Sequence, residues 1–259
     1  MKRIIPVLFI KNGLIVRSQN FTRHQVIGNV INQAKRLNDW FADELICIDI
    51  GDYKFYDSGR DDHQVKSINN ILEIISEMSK VIFMPFSFGG GIRTVDDAII
   101  RIRNGADKII INTLLFDNKN IVEKIIKVLG SQAVIASLDY RIENGTPIVF
   151  TNNGRKNVKK SLFEVVEYCE NLSVGEIFLQ NIELDGSSLG FDIEIIKKIV
   201  SLSNLPVVCC SGAGMDTHFE EVAKINSISG IAAGNFFNFS ERSYPRIKNY
   251  LKNKGVDVR

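Results

Sequence analysis

The 259 residues are 45% hydrophobic and carry 32 basic against 30 acidic side chains, a net charge of +2. That length and apolar content suffice for a full core, and α/β barrels commonly run to this size as one domain, with no Pro/Ser-rich linker to divide residues 1–259. The near balance of charge excludes a strong sequence-independent pull toward nucleic acid or an anionic membrane, so neither is expected as a partner.

The opening MKRIIPVLFI imitates a signal peptide, but its apolar run is only seven residues and meets Lys11-Asn12-Gly13 with no small-residue cleavage site. It reads as a buried first strand. Short β-branched runs follow in order: RIIPVLFI, ELICIDI, VIFMPFS, DKIIINT, QAVIASLD, EIFLQN, PVVCC and GIAAG. Helical periodicity is expected near 26–39, 65–79, 94–104, 118–129, 160–172, 192–202, 216–225 and 243–254. Eight nearly continuous apolar strands, each followed by a helix, predict an α/β fold: a (βα)8 TIM barrel with its site at the C-terminal strand ends. A doubly wound sheet is the alternative, but it predicts one switch-point crevice.

Two glycine-rich turns, FGGGIR at 88–93 and CSGAG at 210–214, each follow a strand and precede a helix. Glycine lets backbone N–H groups converge on an anion, and the helix N-terminus adds its positive dipole end. Glycine also serves tight turns for reasons of geometry alone, so recurrence carries the argument. Gly90 and Gly212 recur at nearly the spacing of the strands around them, which predicts two half-barrels with one phosphate site each. Thr94 with Asp96 and Asp97, and Asp216 with Thr217 and Glu220, mark the two helix starts. The stretch 143–156 holds two Asn-Gly dipeptides around a β-rich run and predicts a hairpin in the fifth strand-to-helix loop.

Cys47, Cys169, Cys209 and Cys210 form no C-x-x-C pair, and the adjacent two should point to opposite faces of a strand. A reduced cytoplasmic protein without a metal site is expected. No nicotinamide fingerprint is present, and no cofactor is expected. His24, His63 and His218 read as solvated, and Trp40 as packing at a helix end.

The strings KRIIPVL, ADELICIDI, GGGIRTVDDA, GADKIIINT, GSQAV, NNGRK, GEIFL and SGAG, with Asp185-Gly186, fall in one family's order. Over nearly its whole length the chain resembles the cyclase subunit of imidazole glycerol phosphate synthase. The resemblance implies a barrel that takes ammonia from a glutaminase docked at its bottom face and uses it to cleave and cyclise a bisphosphorylated nucleotide. It implies one phosphate on Gly90, Gly91, Asn112 and Thr113, and the other on Asp185, Gly186, Gly212, Ala233 and Gly234. Arg17 matches a basic residue of the mobile first loop. Asp49 ends strand two, where substrate contact and loop capping are equal readings.

The family's general acid and base are aspartates ending strands one and five. Here the second is Asp139 and the first is Phe9. Further departures are Asn12 for aspartate, Gly51 and Gln180 for threonine, Ile110 and Cys210 for serine, and Ser211 for glycine. By contrast Arg3, Glu44, Lys108 and Glu176 match the charged ring at the family's ammonia entrance, and Asp107 a position at the glutaminase interface. A pairing network that merely seals the barrel is the bland reading of that ring. Together these features imply a divergent branch that delivers ammonia to another acceptor. The relatives it resembles feed a third, ATP-using sugar amidotransferase that makes acetamidino sugars for surface polysaccharide. An ordinary cyclase subunit of histidine biosynthesis is the alternative, and a non-catalytic scaffold that activates a glutaminase is a third reading.

Overall fold

The computed structural model describes residues 1–51, 68, 70–239 and 241–259; His63 and most of the expected helical start at 65–69 lie outside them. Twelve strands follow in chain order among the described residues: β1 (Arg3–Lys11), β2 (Leu14–Gln19), β3 (Arg23–Asn29), β4 (Leu45–Asp49), β5 (Phe86–Gly89), β6 (Lys108–Ile111), β7 (Val134–Glu143), β8 (Thr146–Thr151), β9 (Lys156–Ser161), β10 (Glu176–Asn181), β11 (Val207–Cys210) and β12 (Gly230–Ala233). Eight of them form a closed parallel barrel in the order β1, β4, β5, β6, β7, β10, β11, β12, with β12 returning to β1. The TIM-barrel expectation holds.

The helices are α1 (Val30–Asp39), α2 (Ile71–Val81), α3 (Val95–Arg103), α4 (Leu114–Asp117), α5 (Lys119–Leu129), α6 (Leu162–Leu172), α7 (Ile193–Leu202), α8 (Asp216–Ala223), α9 (Asn235–Phe239) and α10 (Ser243–Asn253). Strand alternation sorts the core into two layers. On β1, Ile4, Leu8 and Ile10 pack with the helix layer, whereas Ile5, Val7 and Phe9 fill the barrel. On β11, Cys209 faces outward and Cys210 inward, as their adjacency requires.

Three local expectations are corrected and one is extended. The helix expected over 26–39 begins only at Val30, because Asn29 caps it by accepting from the Ile31 and Asn32 N–H groups. Residues 23–29 instead form β3, paired with β2 across the first loop. Asn12 and Gly13, both at positive φ, make the tight turn that folds β2 back on β1. The strand expected over 81–87 starts at Phe86, since Val81 still belongs to α2. The hairpin at 143–156 is present as β7–β8, and a second turn through Asn152, Asn153 and Gly154 adds β9 to make three strands. Lastly, Met215 rather than Asp216 is the cap residue of α8, and Asp216 pairs with Arg246 at 3.0 Å.

Candidate functional site

The first glycine turn leaves β5 with Gly90 at φ 104° and Gly91 at φ 60°, a conformation in which a side chain is strained. Its carbonyl at Gly90 is gripped by buried Arg101, whose Nη2 donates at 2.9 Å from the next helix. Thr94 then opens α3 with a full capping box to Asp97. The second turn leaves β11 with Ser211 at φ 85° and Gly212 at φ 93°. Here the brace is His218, whose Nδ1 accepts from the Gly214 N–H at 3.2 Å. The two turns therefore correspond as Gly90 with Ser211 and Gly91 with Gly212, one residue away from the Gly90–Gly212 pairing expected. His218 is buried, which corrects its reading as solvated: the turn needs its ring as an acceptor.

Each turn borders its own cavity at the C-terminal ends of the strands. The larger, about 670 Å³, is lined by Gly90, Gly91, Asn112 and Thr113, and by Asp49, Asp139 and Gln180. The smaller, about 270 Å³, is lined by Asp185, Gly186, Gly212, Ala233 and Gly234, and by Arg17. The two expected phosphate sets thus fall into two separate groups. Phe9 borders both cavities.

Within the larger cavity, Asn112 and Thr113 are already engaged. Asn112 Nδ2 donates to the carbonyls of Ser137 (3.0 Å) and Phe150 (3.3 Å), and Thr113 Oγ1 accepts from the Asn152 N–H (3.1 Å). They fasten the fifth-loop meander over the site. Asp49 is buried, and its Oδ1 accepts from the Gly51 N–H at 2.8 Å, so it caps its loop while also lining the cavity.

Asp139 is buried at the end of β7's barrel portion, facing Ser137 Oγ at 2.9 Å and Gln180 Nε2 at 3.1 Å. Burial is the largest influence on its carboxyl and raises it; the bonds from Ser137 and Gln180 oppose this, the charge of Asp185 adds to it, and the result is about 6. Such a group is poised to exchange a proton near neutral pH. Phe9 offers it no carboxylate partner. Its ring lies edge-on to Phe21, with centroids 6.4 Å apart, and close to Gly234.

Asp185 has a structural task that sequence reasoning did not assign. Its Oδ2 accepts from Ser18 Oγ at 2.6 Å and from the Phe21 N–H at 3.2 Å, pinning the β2–β3 hairpin across the top. Burial raises its carboxyl, against those two hydrogen bonds. Arg17, on the same hairpin, sits 5.6 Å from the centroid of the Phe239 ring.

At the opposite end, the four charged residues close a ring. Arg3 donates to Glu44 at 2.6 Å and also to Glu176; Lys108 reaches Glu176 at 3.0 Å and Glu44 at 3.5 Å. Both glutamates are buried. Burial works to lower Arg3, but its two carboxylate partners outweigh this and raise it. Asp107 beside the ring is exposed, and its Oδ2 accepts from the Phe86 N–H at 2.9 Å. Two large apolar side chains, Phe41 and Phe83, are 85% and 89% exposed in the loops at this face.

The family model described as "Histidine biosynthesis protein" matches residues 3–243. The chain belongs to this family. It is 34% identical over its full length, and 98% of the relative's, to the imidazole glycerol phosphate synthase subunit HisF of Saccharolobus solfataricus. The same-named subunits of Campylobacter concisus (36%) and Pyrococcus furiosus (34%) are matched over equal shares. Among the described residues, no cluster of His, Cys, Asp or Glu could hold a metal ion, and no helix is long and apolar enough to cross a membrane.

Residues that sequence reasoning passed over are Arg101, Phe21 and Lys156. Arg101 sits where α3 turns back on its own glycine loop, and an arginine amid an apolar helical stripe was the available signal. Phe21 lies in the β2–β3 turn and Lys156 at the start of β9, both in the segments over the top face, where no apolar periodicity exists to reveal them.

Proposed function

We propose that the chain is a HisF-like barrel subunit of a glutamine amidotransferase complex, receiving ammonia at the Arg3–Glu44–Lys108–Glu176 ring and delivering it to an acceptor on the opposite face. The closed alternation of two positive and two negative side chains carries this reading. Such a ring can part and reseal as a unit, because each charge keeps one partner while the other is exchanged. The relatives are named as subunits, which supports a partner chain; in this reading that partner is a glutaminase docked at the ring face, near Asp107. Four buried free cysteines fit a reduced, cytoplasmic setting.

The acceptor is where Phe9 matters. Ring closure needs protons both removed and delivered, and loss of one positioned acid or base costs about 10²–10⁴ in rate. Asp139, held by Ser137 and Gln180, remains as the carboxyl for proton transfer or substrate contact at the end of the fifth barrel strand, with Asp49 lining the same cavity. We therefore assign the acceptor to a different phosphorylated ligand, with acetamidino-sugar formation by a third, ATP-using protein as the specific form of the reading. Gly90 and Gly91, and Gly212 with Ala233 and Gly234, would hold phosphate groups by their backbone N–H donors.

The names of the relatives favour a second reading, the cyclase subunit of imidazole glycerol phosphate synthase in histidine biosynthesis. One experiment separates the two: turnover of the bisphosphorylated nucleotide with ammonium salt by the natural chain and by Phe9→Asp. Robust turnover by the natural chain establishes the cyclase. Activity gained only in Phe9→Asp places the change of acceptor at that side chain.

A further inference from the structure

Phe9 does more than omit a carboxylate. Its ring is 6% exposed, rises from the inner layer of the barrel and borders both cavities, with Gly234 on one side and Phe21 edge-on to it. Phe21 is itself fixed, because its N–H and the neighbouring Ser18 hydroxyl both donate to the buried Asp185 carboxylate. An edge-to-face aromatic pair of this kind adds a directional attraction to the packing that holds the two rings together.

The two cavities also differ in what they offer. The larger is rich in neutral and acidic hydrogen-bonding groups, and one of them lacks a partner: Gln180 is 2% exposed, lines this cavity, and its Oε1 has no hydrogen bond among the described residues. Its Nε2 is committed to Asp139 and Ser137, which fixes the amide orientation and leaves the oxygen as an acceptor. A buried carbonyl left unmet is costly, and a hydroxyl or N–H from a ligand would satisfy it. Asp49 and Asn153 line the same space, beside Arg93 and Lys156. The smaller cavity presents Arg17 and Arg246 with the second glycine turn.

We propose that Phe9, buttressed by Phe21, is a specificity-determining wall between two anion compartments: the larger takes a phosphomonoester of a polyhydroxylated body, the smaller a separate phosphate, and a ligand bearing a phosphate at each end cannot span them. This rests on the altered-acceptor reading and gives that acceptor a chemical class. Gln180 recognises a donor on the ligand body, and the two phosphate sites fill independently.

The test is calorimetry and phosphorus NMR on the full chain with three probes: inorganic phosphate, ribose 5-phosphate and the bisphosphorylated nucleotide. Two phosphate sites are expected, with ribose 5-phosphate displacing phosphate from one alone. The bisphosphorylated nucleotide should bind the natural chain within about threefold of ribose 5-phosphate, and at least about tenfold more tightly to Phe9→Ala or Phe21→Ala. This ratio between probes would not move if the two rings served packing alone; Phe9→Leu provides a milder opening should the alanine variants fold poorly. Single-site, tight binding of the bisphosphorylated nucleotide to the natural chain, with release of both phosphates, overturns the wall, as does absence of phosphate binding. Binding of that kind without turnover would defeat the wall alone, whereas turnover would defeat the altered-acceptor reading as well.

Discussion

Gln180 donates to Asp139 across 3.1 Å between neighbouring strands, and the register that pairs these two residues directly places amide and carboxyl in one layer of the barrel. This bond opposes the rise in the Asp139 carboxyl without cancelling it. Burial sets the direction of that rise, and the pairing with Gln180 moderates it.

A carboxyl raised from 3.8 to about 6 in the fold binds its proton more tightly there than in the unfolded chain. Stability from this group is therefore highest below about pH 4 and falls as pH rises through 6, where the buried charge must form. Asp139→Asn should raise stability at pH 8 by about 1–2 kcal/mol, part of the gain being lost because Asn112 and Gln180 both present donors to that site. Urea denaturation at pH 8 and pH 5 checks this: the gain should shrink at the lower pH.

Ring substitutions should be strongly non-additive. Arg3→Met leaves two buried glutamates sharing one lysine and should cost about 3–5 kcal/mol. Adding Glu176→Gln removes the orphaned charge and should recover part of that loss, which a double-mutant cycle in thermal unfolding would measure. A simple sum of the two single effects would rule out the closed ring as a coupled unit.

Ser211 is buried at φ 85°, where a Cβ is strained, and Ser211→Gly should stabilise the chain by about 1 kcal/mol. Its neighbour gives the opposite result. A Cβ on Gly212 would collide with the Gly190 carbonyl, and the Gly190 N–H donates to the Gly212 carbonyl at 2.8 Å, so the two loops are already in contact. Gly212→Ala should cost more than about 3 kcal/mol and weaken phosphate binding in the smaller cavity. Melting temperature and phosphate titration of the two variants report both effects.

At the ring face, Phe41 and Phe83 are large, apolar and almost wholly exposed. If a glutaminase docks there, Phe83→Asp should weaken the complex at least about tenfold, leaving the melting temperature of the free barrel nearly unchanged. Unaltered affinity by calorimetry would place the docking surface elsewhere.

The barrel was legible because β-branched runs and helical periods alternate with little interference, and the turns at 90–91 and 211–212 announced themselves by glycine. Asn12-Gly13 also carried a hairpin signal, yet the polar stretch RSQNFTRHQ conceals the strands that follow, since their outer face meets little core. The burial of His218 was not legible: one helical turn from a glycine loop, a histidine looks the same whether its ring meets water or a backbone N–H. The wall at Phe9 lay between these cases. Its chemistry could be read from the residue type, but its aromatic neighbour could not: Phe21 is brought to it by a hairpin that Asp185 holds from another strand end.

Strand β10 carries Glu176, Phe178 and Gln180 on one face, from the charged ring through the apolar filling to the upper site. A slip of one residue in its pairing would turn all three outward together, so errors of register cannot spare one end of the barrel and ruin the other. Substitution has no such constraint. A change at position 180 alters the hydrogen-bonding groups of the upper cavity, while the ion pairs below are made by other side chains, so the chemistry of one mouth can change with the other left intact.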